Sequence, residues 1–166
     1  MYIREINPLA DDEIELVAQR MRATLIEVEG PEAGVALCSM DWLRDRVRWH
    51  LDRDSVTAKV FLAVLPNGDI IGHTIVRREL DQAGNAFGLF STTYVIPTAR
   101  RGGIADVLLS AGERWMREQS FGSAATWTSS TNLKLIRLYA RHGYSQTAQY
   151  LYEPTGTLMV KLERRL

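Results

Sequence analysis

The chain has 166 residues, 46% of them hydrophobic, which suits one domain with a buried core, and residues 1–166 are read as one unit. Its 20 Lys and Arg balance 20 Asp and Glu, so no nucleic-acid partner is expected and any anion site must be local. The lone Cys38 excludes an internal disulfide framework, no apolar run can cross a bilayer, and the opening MYIREINPLADDEIE lacks a signal-peptide pattern; a cytoplasmic protein without a membrane partner is the expectation.

Residues 2–6 alternate apolar and polar like a strand, and Asn7-Pro8 punctuates them. From Asp11 onward, Ile14, Val17, Ala18, Met21 and Leu25 recur at helical steps, behind the acidic Asp11, Asp12 and Glu13 that suit a helix N-terminus. Gly30-Pro31 reads as the end of this helix, with a small-residue loop running to Leu37. Ser39 is placed to cap a second helix, whose stripe is Met40, Leu43, Val47 and Leu51 and whose flanks carry Trp42 and Trp49.

Residues 59–65 and 70–78 read as strands paired antiparallel around the turn Pro66-Asn67-Gly68-Asp69. A turn at 81–85 leads to a third strand, 87–96. A helix at about 102–119 buries Ile104, Leu108, Leu109, Trp115 and Met116, and a short strand follows at 124–129. A helix at 132–142 is stopped by Gly143, and strands at 146–152 and 158–162 complete the order.

Chemistry concentrates in two stretches. In VIPTARRGGIA, residues 95–105, a strand turns directly into a helix. Such a turn leaves the first helical N–H groups without partners, and glycines let an anion approach them, so the loop forms a phosphate-sized cradle. Arg100 and Arg101 add charge at its rim, and Asp106 stands further in. Taken alone, Arg-Arg-Gly-Gly better suits a solvated loop. Ile104-Ala105 stand where a nucleotide-hydrolase loop needs Lys and Ser or Thr, and the third glycine of a dinucleotide loop is missing. In TNLKLIRLYARHGY, residues 131–144, Asn132, Leu135, Ile136 and Tyr139 share one helix face, so an amide and a phenol point the same way. They line a ligand crevice if this helix lies beside the loop helix; otherwise they are a cap and a core aromatic.

Together the two stretches resemble the GNAT superfamily of N-acetyltransferases. Arg100-Arg101-Gly102-Gly103-Ile104-Ala105 is similar to the family's cofactor motif, Arg or Gln, two residues, Gly, one residue, Gly or Ala, preceded by Val95-Ile96-Pro97. Asn132, Leu135, Tyr139, Gly143 and Tyr144 match the second motif, while Arg101 stands where many members have glycine. The order of the remaining elements extends the resemblance over nearly the whole chain.

The resemblance implies a mixed α/β (α+β) fold: a mostly antiparallel twisted sheet of six to seven strands, flanked by about four helices, with a splayed strand pair holding acetyl-coenzyme A. Backbone N–H groups from Arg101 to Ala105 would hold the pyrophosphate, and Val95, Ile96, Arg100 and Asn132 would complete the cofactor side. An N–H near Ile96 would polarise the thioester carbonyl, a primary amine would attack directly, and Tyr139 would protonate the leaving thiolate. The third strand has no carboxylate for a general base; Glu79 and His73 are the nearest alternatives, and water is the other. The resemblance puts the acceptor, a small-molecule or peptide amine, near Trp42, Trp49, Tyr150 and Tyr152, which otherwise read as core edges. Scattered His50, His73 and His142 give no metal-ligand spacing, so no metal is expected. Family members often pair through their C-terminal strands, so a homodimer stays open. A non-catalytic acyl-coenzyme A sensor is the alternative to an enzyme.

Overall fold

The structure is a computed structural model describing residues 1–166. It runs β1 (Tyr2–Glu5), α1 (Asp11–Glu29), α2 (Pro31–Ala36), α3 (Met40–Leu51), β2 (Ala58–Val64), β3 (Ile70–Leu80) and β4 (Ala86–Val95). A short turn of tighter helix at Pro97–Ala99 leads to α4 (Ile104–Glu118), β5 (Ser123–Ser129), α5 (Leu133–Arg141), β6 (Ser145–Tyr152) and β7 (Thr157–Arg165). The expected fold class holds, with seven strands and five α-helices. The additional helix is α2. Gly30 does end α1, but Pro31 starts a new helix instead of a loop, because its fixed φ suits the first helical position, where no N–H partner is needed.

The strands form a single sheet in the order β1-β2-β3-β4-β5-β7-β6, antiparallel except for β4 with β5. On one face, Ile14 and Val17 of α1 and Leu43 and Val47 of α3 pack against Val60, Leu62 and Ile75. Ser39 starts α3 as expected, its Oγ accepting the Trp42 N–H at 3.0 Å. On the other face, Leu109 and Met116 of α4 and Tyr139 of α5 pack against Val76, Phe90, Val160 and Leu162. A Cβ on Gly112 would press into the Phe90 ring and Val76, so only glycine lets α4 sit this close to the sheet.

The seam between β4 and β5 positions the site. The two strands pair only from Gly88 to Phe90, opposite Ala124 to Thr126, and then part. Thr126 Oγ1 donates to the Phe90 carbonyl at 3.0 Å at the last rung. At the same point β4 holds one extra residue: Val76 faces Phe90 and Ile75 faces Thr92, leaving Ser91 as a β-bulge. A bulge bends its strand and re-aims side chains, so β4 leaves β5 here and opens a V-shaped gap.

Candidate active site

At the wide end of the gap lies the 95–105 loop. Arg101 and Gly103 both have positive φ, 67° and 74°, and they curl the backbone into a concave turn before α4. Val107 is the first residue whose N–H bonds back into the helix, to the Gly103 carbonyl at 3.1 Å. The N–H groups of Arg101, Gly102, Gly103, Ile104, Ala105 and Asp106 find no acceptor in the protein. A Cβ placed on Gly103 meets no atom within 4 Å, so an incoming group has free access. Consecutive donors at the positive end of a 15-residue helix fit a diphosphate such as that of coenzyme A.

The arginines divide their work. The side chain of Arg101 is exposed at the rim, as expected. That of Arg100 is committed elsewhere: Nε donates to the Val95 carbonyl at 2.9 Å, a terminal nitrogen bonds Glu27 at 2.6 Å, and the guanidinium lies over the Tyr94 ring. Arg100 therefore ties the end of β4 to α1 rather than adding free charge to the cradle. Asp106 accepts from His142 Nε2 at 2.9 Å and Arg141 at 3.2 Å, which joins the start of α4 to the end of α5. The His142 bond above all holds its carboxyl below the usual range.

Strand alternation decides which N–H groups of β4 are free. The Ile96 N–H donates to the Ile71 carbonyl at 3.0 Å, so it belongs to the β3 ladder and cannot polarise a ligand in the gap. In an antiparallel ladder bonded and non-bonded pairs alternate, so Val95 opposite Gly72 and Thr93 opposite Thr74 turn their N–H groups the other way. These two donors line the open side of β4, so the free N–H groups near Ile96 are those of Val95 and Thr93.

At the apex, the Tyr139 hydroxyl lies against the hydroxyls of Thr93 and Thr126. Its ring is buried edge-on to Phe90 and Tyr144. Burial pushes the phenol well above its ordinary pKa, which keeps it a proton donor. Asn132 acts at the head of the same helix. Its Oδ1 faces the Leu135 N–H at 3.4 Å and its Nδ2 donates to Thr128 Oγ1 at 3.0 Å, so its side chain caps and orients α5 instead of reaching the cradle. Gly143 follows α5 with φ 81°, and Tyr144 donates to buried Glu113 at 2.9 Å.

Neither proposed side-chain base stands free at the apex. Arg77 Nε bonds Glu79 at 2.7 Å, while a terminal nitrogen of the same guanidinium reaches Ser91 Oγ at 2.9 Å. Glu79, opposite Phe87, thus lies on the far side of the cation from the gap. His73 is fully buried without a hydrogen-bond partner, and desolvation depresses its pKa to about 3. His50 accepts from Arg77 through Nε2 at 3.3 Å, bonds the Arg46 carbonyl through Nδ1 at 2.7 Å, and is depressed to about 4, mainly by burial. Sequence reasoning missed Arg77 and Ser91. The Arg77-x-Glu79 alternation on one strand face was a usable signal; the bulge at Ser91 left none.

The aromatics expected on the acceptor side lie on the sheet face opposite α4 and α5. Trp49, half-buried, lies between Arg46 at 4.1 Å and Arg77 at 5.9 Å and meets His50 edge-on. Trp42 is exposed two turns earlier. Tyr150 on β6 meets Trp127 on β5 edge-on at 5.0 Å, and Lys161 on β7 covers Phe87. Tyr152 is exposed further along β6. Glu29, closing α1, accepts from Thr157 Oγ1 at 2.8 Å and bridges the helices to β7 across this face. No helix is long and apolar enough to cross a membrane.

Comparison with known proteins gives a consistent result. The model of the acetyltransferase (GNAT) family matches residues 24–144. An aminoglycoside N(6')-acetyltransferase type 1 from Klebsiella aerogenes is 30% identical over 96 residues, which span 55% of this chain and 62% of that protein. A ribosomal-protein-alanine N-acetyltransferase from Brucella melitensis superposes with a TM-score of 0.76 at 15% identity, over 100% of both chains. A chain of the NatC complex, solved with Gag peptide and CoA, reaches 0.77 at 16% identity over 99% of this chain and 98% of its own. A protein described as a streptothricin acetyltransferase from Bacillus anthracis, solved with acetyl coenzyme A, reaches 0.60 at 15% identity over 66% of this chain and 63% of its own. At these identities the structural likenesses establish the fold.

Proposed function

The chain belongs to the GNAT family of acetyltransferases, and we propose that it moves an acetyl group from acetyl-coenzyme A to a primary amine by direct attack. One observation carries the reading: the partnerless N–H groups of residues 101–106 follow, within a few residues, the outward N–H groups of Thr93 and Val95. The loop would hold the diphosphate, and the edge of β4 would pair with the amide-bearing arm. Acetyl-coenzyme A supplies an activated acyl thioester. The N–H groups of β4 polarise its carbonyl, and Tyr139 donates a proton to the departing sulfur. No carboxylate occurs in residues 91–95 or 127–129, and Glu79 is shielded by Arg77, so the amine loses its proton to water.

The acceptor is a small-molecule or peptide amine that enters across the aromatic face. Release of free thiol from acetyl-coenzyme A, measured against a panel of amines, tests the reading. Thiol release that requires an amine, with matching formation of acetylated product, supports it. Tight coenzyme A binding without consumption of acetyl-coenzyme A by any amine would instead indicate a sensor.

A further inference from the structure

Helix α3 carries three arginines on alternate residues, and two of them are neutralised. Arg44 bonds Glu15 and, at 2.8 Å, Asp41; Arg48 has Asp11 and Asp45, each at 3.6 Å. Arg46, between them, has neither a carboxylate nor a side-chain hydrogen bond to the protein, although it is half-buried. It is nevertheless fixed in place, with its guanidinium 4.1 Å from the Trp49 ring and 6.0 Å from that of Trp42.

This flank faces the acceptor side. Trp49 also touches Arg77, and Arg77 reaches Ser91, the bulge where the gap opens. Close to Trp49 and along the exposed strands, Arg77 is paired with Glu79 at 2.7 Å and Lys161 with Glu163 at 3.0 Å. Of the two cations over Trp49, Arg46 is the one without a paired carboxylate. An arginine stacked on an aromatic ring presents a flat, pre-oriented fork of donors, which suits a planar carboxylate better than a point charge would. Burial, and then repulsion from Arg77, lower the Arg46 pKa, attraction to the more distant Glu79 offsets them only in part, and an anion beside the guanidinium would offset the rest.

We propose that Trp42, Arg46 and Trp49 form the part of the acceptor site that holds a carboxylate, so the preferred acceptor is a primary amine bearing a carboxylate several bonds away. This inference rests on the acetyl-transfer reading for the location of the amine. A polycationic acceptor would meet Arg46 with like charge and is disfavoured.

Matched pairs of acceptors test it: ε-aminocaproate and its amide as free amino acids, Ala-Glu and Ala-Gln with amidated C-termini as peptides, and an aminoglycoside as the polycation. The wild type should prefer the carboxylate member of at least one pair by roughly ten- to a hundredfold in kcat/KM, the scale of one charged hydrogen-bonding contact. Which pair shows the preference tells free amino acid from peptide. Arg46→Gln should bring that ratio near unity by raising the KM for the carboxylate acceptor, not that for acetyl-coenzyme A. Arg46→Lys should retain part of the preference. Equal use of carboxylate and amide, an unchanged ratio in Arg46→Gln, or a preference for the aminoglycoside would overturn the proposal. If no amine is acetylated, calorimetric binding of the same pairs to the coenzyme A-loaded protein decides. Carboxylate-selective binding lost in Arg46→Gln sustains the subsite although acetyl transfer fails, and unselective binding removes it.

Discussion

Replacing Gly103 by Asn and by Asp separates the shape of the cradle from its charge. At φ 74° and ψ 6° the position is left-handed, a region that Asn and Asp enter more readily than other side chains, and no protein atom lies within 4 Å of the new Cβ. Both variants should therefore fold, with a shared strain of about 1 kcal/mol. They differ by one negative charge. At roughly 5 Å in a water-like medium, each charge on a diphosphate repels the aspartate by about 0.8 kcal/mol, so two charges amount to about 1.7 kcal/mol. That corresponds to roughly fifteenfold in Kd, and more where the local dielectric is lower. The same aspartate favours the start of α4 by about 0.3–1 kcal/mol, so Gly103→Asp should melt no lower than Gly103→Asn while binding coenzyme A more weakly. Opposite signs of this kind cannot come from a damaged fold. Calorimetric titration with coenzyme A at low and high salt, beside thermal melts, measures both effects, and added salt should narrow the gap in Kd. Equal Kd values for the two variants at low salt would refute a diphosphate in this loop.

Tyr139→Phe removes only the hydroxyl at the apex and should lower kcat by about ten- to a thousandfold with coenzyme A affinity within a few-fold; an undiminished kcat would point to another proton donor. Because Arg100 acts through Glu27 and the Val95 carbonyl, Arg100→Gln and Glu27→Gln should raise the KM for acetyl-coenzyme A together and non-additively. An effect confined to Arg100→Gln would mean that the arginine binds phosphate directly. His50 and His73, depressed to about 4 and about 3, stay neutral when folded but take protons when unfolded below about pH 6.5. Their contribution to stability is thus complete above that pH and is lost as pH falls toward the folded values, by about 2 kcal/mol per histidine between pH 7 and 5. Urea unfolding at the two pH values reads this, and a flat profile would show that the buried rings are protonated without penalty.

The elements and both motifs were legible because they are local. Ser39, Gly143 and the apolar stripes act within a few residues of themselves, and they ended or oriented the helices as expected. The misreadings share another origin. Arg100 was taken for cradle charge because its partner, Glu27, lies 73 residues away on α1. Which N–H near Ile96 is free cannot be read from the sequence, because the outward N–H groups of β4 depend on the phase of its ladder with β3, a tertiary property. The shielding of Glu79 depends on Arg77 reaching a bulge with no sequence signature. Pro31 was read as a terminator although proline also starts helices, and both the Gly30 stop and the Pro31 start proved real.

The short seam between β4 and β5 has a consequence for hydrogen exchange. Thr93 and Val95 lie inside a ten-residue strand, yet their amides face away from β3 beyond the last rung with β5. Those amides should exchange with deuterium at rates typical of loops, whereas the intervening Tyr94 and the following Ile96, bonded to β3, wait for the sheet to open. The strand therefore carries an alternating fast and slow signature along its own length. A molecule that pairs with β4 would slow the fast amides and leave the others as they were, so occupancy of the gap can be read residue by residue without any turnover.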